Sequence, residues 1–288
     1  MTAAAPRYRL TLFQCWTLTD GGSRIHLAQR EQRLVAALAI SGPGPRHYLA
    51  GLLWPESPES LASESLRVTL HRTTRQLPGL VSVGRSTLAL APEVEVDLHR
   101  VRAVVAALSS GTQDGYPADT IGQLGGAELL PGWNDEWILG EQWHLRLQRV
   151  AALERLAAGW LRRGDQWLAL EAAAAALELE PLRESAVVAM AQAHLQTGNR
   201  AMALDLLLTF EARLRGELGV GASPRLAALI RLITITPRTD APYRRPVQAA
   251  IPGRWHRMVF ATERRGRPPH PAAAGIFRLP RSAEGGQT

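Results

Sequence analysis

The chain has 288 residues, 46% of them hydrophobic, and a formal net charge of +7. That is enough apolar side chain for one large or two ordinary cores, which excludes a wholly disordered chain and favours two domains. All 33 cationic side chains are arginine, so no Walker-type phosphate loop is complete and no side-chain amine exists for Schiff-base chemistry, while phosphates and guanine edges remain within reach of bidentate guanidinium groups.

Charge is unevenly spread. Residues 1–90 hold ten arginines against five acidic residues, residues 91–237 hold 13 against 18, and residues 238–288 hold ten against three. The single cysteine, Cys15, has no internal disulfide partner, and Met1-Thr2-Ala3-Ala4-Ala5-Pro6-Arg7 lacks the apolar core of a secretion signal. No run approaches the roughly 20 apolar residues of a membrane span. A soluble, cytoplasmic protein with no membrane partner is expected.

Arg7 to Phe13 alternates with Tyr8, Leu10 and Leu12 on one face, and a second run through Trp16 and Leu18 reaches Asp20-Gly21-Gly22, which predicts strand, turn and strand. Arg30 to Ile40 has helical spacing of Leu34, Ala37 and Leu38, stopped by Ser41-Gly42-Pro43-Gly44-Pro45. A short helix from Pro45 to Trp54 follows. Ser57 is the expected N-cap of the next helix, with Pro58 at its first position. Over Pro58 to Leu77, that helix puts Leu66, Leu70, Thr73 and Leu77 on one face and Arg67, His71, Arg72 and Arg75 on the other, together with Glu64 and Val68. Leu80 to Val83 and Thr87 to Leu90 read as two strands joined by Gly84-Arg85-Ser86, a hairpin with an arginine at its tip. A helix with a basic face followed by a basic hairpin predicts a winged helix.

Glu93-Val94-Glu95-Val96-Asp97 looks like a domain edge, and the chain beyond it to Ile235 is mostly helical. One helix covers Leu98 to Leu108, Ser109 to Pro117 is loop-like, and a long amphipathic helix spans Glu136 to Arg163. Gly164-Asp165 and Gly198-Asn199 mark two turns in matching frames, pairing Leu161 with Leu195, Ala169 with Ala203 and Leu170 with Leu204. That offset is the tetratricopeptide period, and Pro181 stands where such a repeat ends its second helix. Two copies need flanking helices as caps. The Pro-, Arg- and Gly-rich tail from Pro237 is expected to be mostly disordered.

Leu49-Ala50-Gly51-Leu52-Leu53-Trp54-Pro55, followed by Ala62, Leu66, Val68, Leu70, Arg72 and Leu77, resembles an OmpR-type winged helix. Leu129-Leu130-Pro131-Gly132-Trp133-Asn134-Asp135-Glu136-Trp137, Leu182-Arg183-Glu184-Ser185 and Gly216 to Leu226 are similar to strings of the bacterial transcriptional activation domain. Jointly, over about residues 7–235, the chain resembles the short form of the Streptomyces antibiotic regulatory protein family of transcriptional activators. The resemblance implies a leading antiparallel sheet on three helices, the third entering the DNA major groove, and an all-helical domain that supports dimerisation on direct repeats about one turn apart. It also implies contact with RNA polymerase at promoters of secondary-metabolite gene clusters. The expected organisation is a winged-helix DNA-binding domain over 1–92, a tetratricopeptide-like helical activation domain over 93–236 and a basic tail over 237–288: mainly α with a small β component.

Three residues depart from the family pattern. Thr73 stands where relatives carry a larger apolar residue, so it weakens packing unless its hydroxyl bonds to the helix backbone. Glu64 repels phosphate but is suited to accept from a cytosine amine. Pro45 replaces the usual N-cap serine of the second helix.

A basic helix face is either solvated surface or a nucleic-acid reader, and the hairpin and family strings favour the latter. Arg67, His71 and Arg75 share the outward stripe and are the candidates for base edges; Arg72, Arg85, Ser86 and Thr87 suit phosphate or minor-groove contact. His26, His47, His71, His99, His144, His194, His256 and His270 are scattered without metal-site spacing, so no metal, cofactor or catalytic group is expected and the chain reads as no enzyme. Cys15 is expected to be a small buried hydrophobe, and Trp133, Trp137 and Trp143 core anchors of the bundle. The ten arginines of the tail either grip flanking DNA or form a solvated extension. The rival to a DNA-binding activator is a helical-repeat adaptor whose winged helix is degenerate, for which Glu64 and Thr73 are the suggestive features.

Overall fold

In the computed structural model, residues 7–111 and 116–235 are described. The basic tail expected from residue 237 lies outside them, as do residues 112–115 of the loop expected over Ser109 to Pro117, whose first two residues instead continue the helix from Asp97. β1 (Tyr8–Thr11), β2 (Thr17–Asp20) and β3 (Ser23–Ile25) form an antiparallel meander with Leu10 opposite Leu18 and Leu18 opposite Ile25. The predicted alternation holds, since Tyr8, Leu10 and Leu12 are all buried. It stops before Cys15, which is exposed in the turn to β2 beside Gln14, a residue with φ of 69°. Reversal of the chain there carries the thiol outward, against the expectation of a buried strand residue.

Three helices follow: α1 (Gln29–Ser41), α2 (Arg46–Leu53) and α3 (Glu59–Gln76). Between α1 and α2, β4 (Gly44–Pro45) pairs with the second strand of the hairpin formed by β5 (Val81–Val83) and β6 (Thr87–Leu90). Ser57 does not cap α3. Pro58 has an extended ψ of 145° and is itself the cap residue, its carbonyl accepting from the Ala62 N–H, while the Ser57 N–H turns back to the Trp54 carbonyl. Besides β3 and β4, pairing adds a third strand that periodicity missed: β7 (Glu95–Val96), at the predicted domain edge, lies parallel to β1. The leading sheet therefore has the order β3-β2-β1-β7 and is mixed rather than purely antiparallel.

The helical half runs through α4 (Asp97–Ser110), α5 (Asp119–Leu124), α6 (Glu136–Arg163), α7 (Gln166–Leu179), α8 (Glu184–Gln196), α9 (Arg200–Leu218) and α10 (Pro224–Ile235). The 34-residue repeat is geometrical as well as sequential. Gly164 and Gly198 have φ of 78° and 76°, the left-handed conformation glycine adopts without a Cβ penalty. After each, the next N–H reaches five residues back, Asp165 to Trp160 O at 3.0 Å and Asn199 to His194 O at 2.8 Å. Ala169 and Ala203 then pack at equivalent buried sites.

The three tryptophans do not all anchor this bundle. Trp133 and Trp137 are half-buried and Trp143 is 52% exposed. The buried residues of α6 instead include Ile138, Leu145, Arg149, Val150 and Leu153; Trp143, one heptad before Val150, stands at the edge of their stripe and stays exposed.

Two family-like strings meet at a carboxylate. Glu154 on α6 accepts from Arg183 Nε and Nη2 at 2.7 and 2.8 Å, and from the Ser185 hydroxyl. Between Arg183 and Ser185, Glu184 accepts from the backbone N–H and hydroxyl of Ser223, which in turn accepts from the Leu226 N–H at the start of α10. Burial alone would raise the Glu154 pKa, but the bonds from Arg183 and Ser185 and the charge of Arg183 prevail and hold it below the ordinary carboxylate value. A group depressed in the folded state stabilises above its unfolded pKa and loses that contribution as pH falls through the folded one. Glu154→Gln is therefore expected to destabilise at neutral pH, and the gap to the unsubstituted chain in urea melts is expected to close below about pH 4. A gap independent of pH would contradict the assignment.

The two halves are joined by polar groups as well as by β7. Asp97 at the start of α4 accepts from the Leu12 and Phe13 N–H groups at 3.0 and 3.1 Å, extending the edge of β1 beyond its pairing with β7. Phe13 bridges Leu129, and the Leu130 N–H donates to Leu12 O at 2.8 Å. Arg33 on α1 pairs with Asp135 at the start of α6, and Arg102 on α4, itself paired with Glu141 on α6, donates Nη1 to Ile40 O near the end of α1 at 2.7 Å. Arg149 is buried. Its guanidinium donates to the carbonyls of Leu124, Gly125 and Ala127 at 2.5, 2.8 and 3.0 Å and lies over the Phe13 ring. Residues 7–235 thus belong to one unit of contiguous packing.

Candidate nucleic-acid interface

α3 is amphipathic because its apolar residues recur at helical spacing. Ala62, Leu66, Leu70 and Thr73 are buried against α1 and α2, with Leu77 closing the same face. Thr73 is 0% exposed, and its hydroxyl donates to Thr69 O at 2.9 Å. The polar group on the core face is satisfied by its own helix, so its burial does not leave an orphan donor. Thr69 and Thr74 use the same device, donating to Ser65 O and Leu70 O.

The opposite face carries Glu64, Arg67, Val68, His71, Arg72 and Arg75, all exposed. Glu64 and Arg67 form an i,i+3 ion pair at 3.5 Å. Both side chains are largely in water, where such pairs are weak.

At the hairpin, Arg85, Ser86 and Thr87 are exposed. The Gly84 N–H donates to Thr87 O at 2.9 Å to close the turn. A Cβ on Gly84 would come within 2.9 Å of the Thr87 hydroxyl, which explains glycine at that corner. Sequence reasoning missed one residue of this wing. Arg46, the first residue of α2, donates its N–H to Ser86 O at 3.1 Å and Nη2 to Gly84 O at 3.3 Å. The signal was Pro45, which is indeed the cap of α2 and offers no side-chain acceptor. The orphan N–H of α2 finds its acceptor on the wing instead, so α2 and the hairpin brace each other.

Among the described residues, no group of three or more His, Cys, Asp or Glu side chains stands together as a metal site. No helix among them is long and apolar enough to cross a membrane. The His99 ring contacts Ala39 O at 2.9 Å, His144 contacts Gln148, and burial lowers the His194 pKa. These are histidines in hydrogen-bonded or buried settings. The candidate interface is a cationic helix face and a braced hairpin, whose charge suits a polyanion.

Residues 96–234 match the family model of the bacterial transcriptional activator domain. The chain carries a bacterial transcriptional activator domain. That domain starts at β7 and α4 and ends within α10. Among solved structures, the chain is similar to Mycobacterium tuberculosis EmbR, determined in complex with a low-affinity phosphopeptide. Identity is 20%, the TM-score is 0.62, and the match covers 79% of this chain and 65% of that one. The likeness is one of fold. A comparison with curated proteins gives no match. The activator domain and the fold support the resemblance to the Streptomyces antibiotic regulatory type of activator.

Proposed function

We propose that this chain is a sequence-specific, DNA-binding transcriptional activator that acts in the cytoplasm. It binds direct repeats in promoters as a homodimer and recruits RNA polymerase to a secondary-metabolite biosynthetic cluster. The observation that carries this proposal is the exposed cationic face of α3 on a unit continuous with an activator domain. Activation by recruitment needs no bond to be made or broken, only two surfaces held in fixed relation. α3 lies in the major groove; Arg85, Ser86 and Thr87 approach phosphate or the minor groove. The junction formed by Asp97 with β1, Arg149 with the Phe13 ring, Arg33 with Asp135 and Arg102 with Ile40 O holds the winged helix and the helical domain in fixed relation. Dimerisation, polymerase contact and the gene-cluster target are carried from the family resemblance.

Glu64 is the observation that favours the rival, a helical-repeat adaptor, because a carboxylate on the reading face opposes phosphate. Thr73 no longer favours it, its hydroxyl being satisfied within α3. Gel-shift titration of the full chain against DNA upstream of neighbouring genes separates the two. A specific shift that Arg75→Ala weakens is expected; equal, weak binding of every duplex by both proteins would sink the proposal.

A further inference from the structure

We infer that Glu64 and Val68 determine sequence preference, accepting from a cytosine amine and packing on a thymine methyl, while Arg67 and Arg72 grip the two phosphate walls of the groove. The inference rests on the reading of α3 as the DNA-reading helix and assigns the roles within it.

Helical phase carries the argument. With about 100° per residue, the direction opposite the mean of the buried residues Ala62, Leu66, Thr69, Leu70, Thr73 and Leu77 passes within about 10° of Glu64 and Arg75. Val68 and His71 lie within about 30° of it. Arg67 and Arg72 stand about 70° away, on opposite sides. A helix about 10–12 Å across, lying in a groove about 12 Å wide, presents its outermost line to the base edges and its flanks to the backbones. The centre line is therefore Glu64, Val68, His71 and Arg75, and the two arginines next to it face the walls symmetrically.

The chemistry of the centre line is mixed. Val68 is 43% exposed, an apolar side chain among charges on a face left exposed among the described residues. The apolar feature on the major-groove floor is the thymine C5-methyl. Glu64 has only acceptors, and the donors on that floor are the cytosine and adenine amines, of which cytosine presents its amine without the adjacent purine N7 acceptor. In the free chain, Glu64 is paired with Arg67 at 3.5 Å. On DNA, Arg67 exchanges that carboxylate for a phosphate, and Glu64 is left aimed at the floor. A matched cytosine receives it. Any base offering only acceptors repels it, so Glu64 lowers affinity for unmatched duplex more than for the site. Discrimination, rather than raw affinity, is what a carboxylate at this position supplies.

The test is selection from a duplex library with a randomised core, using the full chain and its Glu64→Gln, Val68→Ala and Arg67→Ala variants. All three substitutions are at exposed positions. The unsubstituted chain is expected to select a site containing a cytosine and, about one helical turn of α3 along, a thymine. Glu64→Gln is expected to lose about tenfold of the preference at the cytosine and to bind random duplex more tightly. Replacing that thymine by uracil removes only the methyl and is expected to weaken the unsubstituted chain about threefold, leaving Val68→Ala unaffected. Arg67→Ala is expected to bind every duplex more weakly, keep the consensus and lower the salt slope by about one. A selected consensus that Glu64→Gln and Val68→Ala leave unmoved, or one that Arg67→Ala relaxes at a single position, overturns the inference alone. Failure of the unsubstituted chain to select any sequence overturns the reading of α3 beneath it as well.

Discussion

Arg149→Met is expected to destabilise the chain by roughly 3 kcal/mol, more than any single surface change. Three backbone carbonyls between Leu124 and Ala127 accept from this one guanidinium, and methionine fills its stem volume without offering a donor. Each carbonyl left dry costs about 1–3 kcal/mol, partly relieved by local movement and water entry. Burial, with the nearby charge of Arg146 also acting against it, pushes the Arg149 pKa down to about 10, so the side chain remains charged at neutral pH. It stays buried without a hydrogen bond to a carboxylate because the end of α5 and the loop after it turn three carbonyls toward it, while the charge of Glu128 acts in its favour. Urea denaturation reads the effect directly. Arg146→Met is the control, since its ion pair with Glu128 is partly exposed and its loss is expected to cost below about 1 kcal/mol. Equal effects of the two substitutions would show that Arg149 does not hold residues 124–127 in place.

The second large effect is on DNA. Arg75 stands near the outermost line of α3, exposed and one turn beyond His71. A guanidinium there suits bidentate contact with guanine O6 and N7, worth about 1–3 kcal/mol of discrimination. Arg75→Ala is expected to weaken binding of the specific duplex by about 5- to 150-fold while changing random-duplex binding only by the loss of one cation. Competition gel shifts, with specific and random duplex at a fixed salt concentration, separate the two terms. An identical loss on both duplexes would place Arg75 at the backbone instead.

Local pattern made much of this legible in the sequence. The leucines of α3, the hairpin around Gly84-Arg85-Ser86, the bounds of α6 and the 34-residue repeat all follow from short-range periodicity or turn chemistry, which one chain segment specifies by itself. What stayed hidden depends on residues far apart. β7 is two residues long, and only its pairing with β1 makes it a strand. Arg149 looks like one more solvated arginine of an amphipathic helix until a loop 25 residues earlier wraps it. Trp143 carries the residue type of a core anchor and nearly the phase of buried Val150, yet its stretch of α6 leaves it exposed. Cys15 sits in an alternating run that a turn interrupts. At the interface, residue types were readable, whereas roles were not. Arg67 shares a face with Arg75, yet only the observed set of buried residues fixes which of them lies on the centre line.

Footprinting of the full chain on the promoter it shifts tests the central claim most directly, because it reports where the protein lies on the duplex. Two protected segments on one face of the DNA, in direct repeat and about 10 base pairs apart centre to centre, are predicted, with major-groove guanines shielded from methylation within each. Protection that is absent, or spread evenly along the fragment without a repeat, would contradict the account of this chain as a sequence-reading activator.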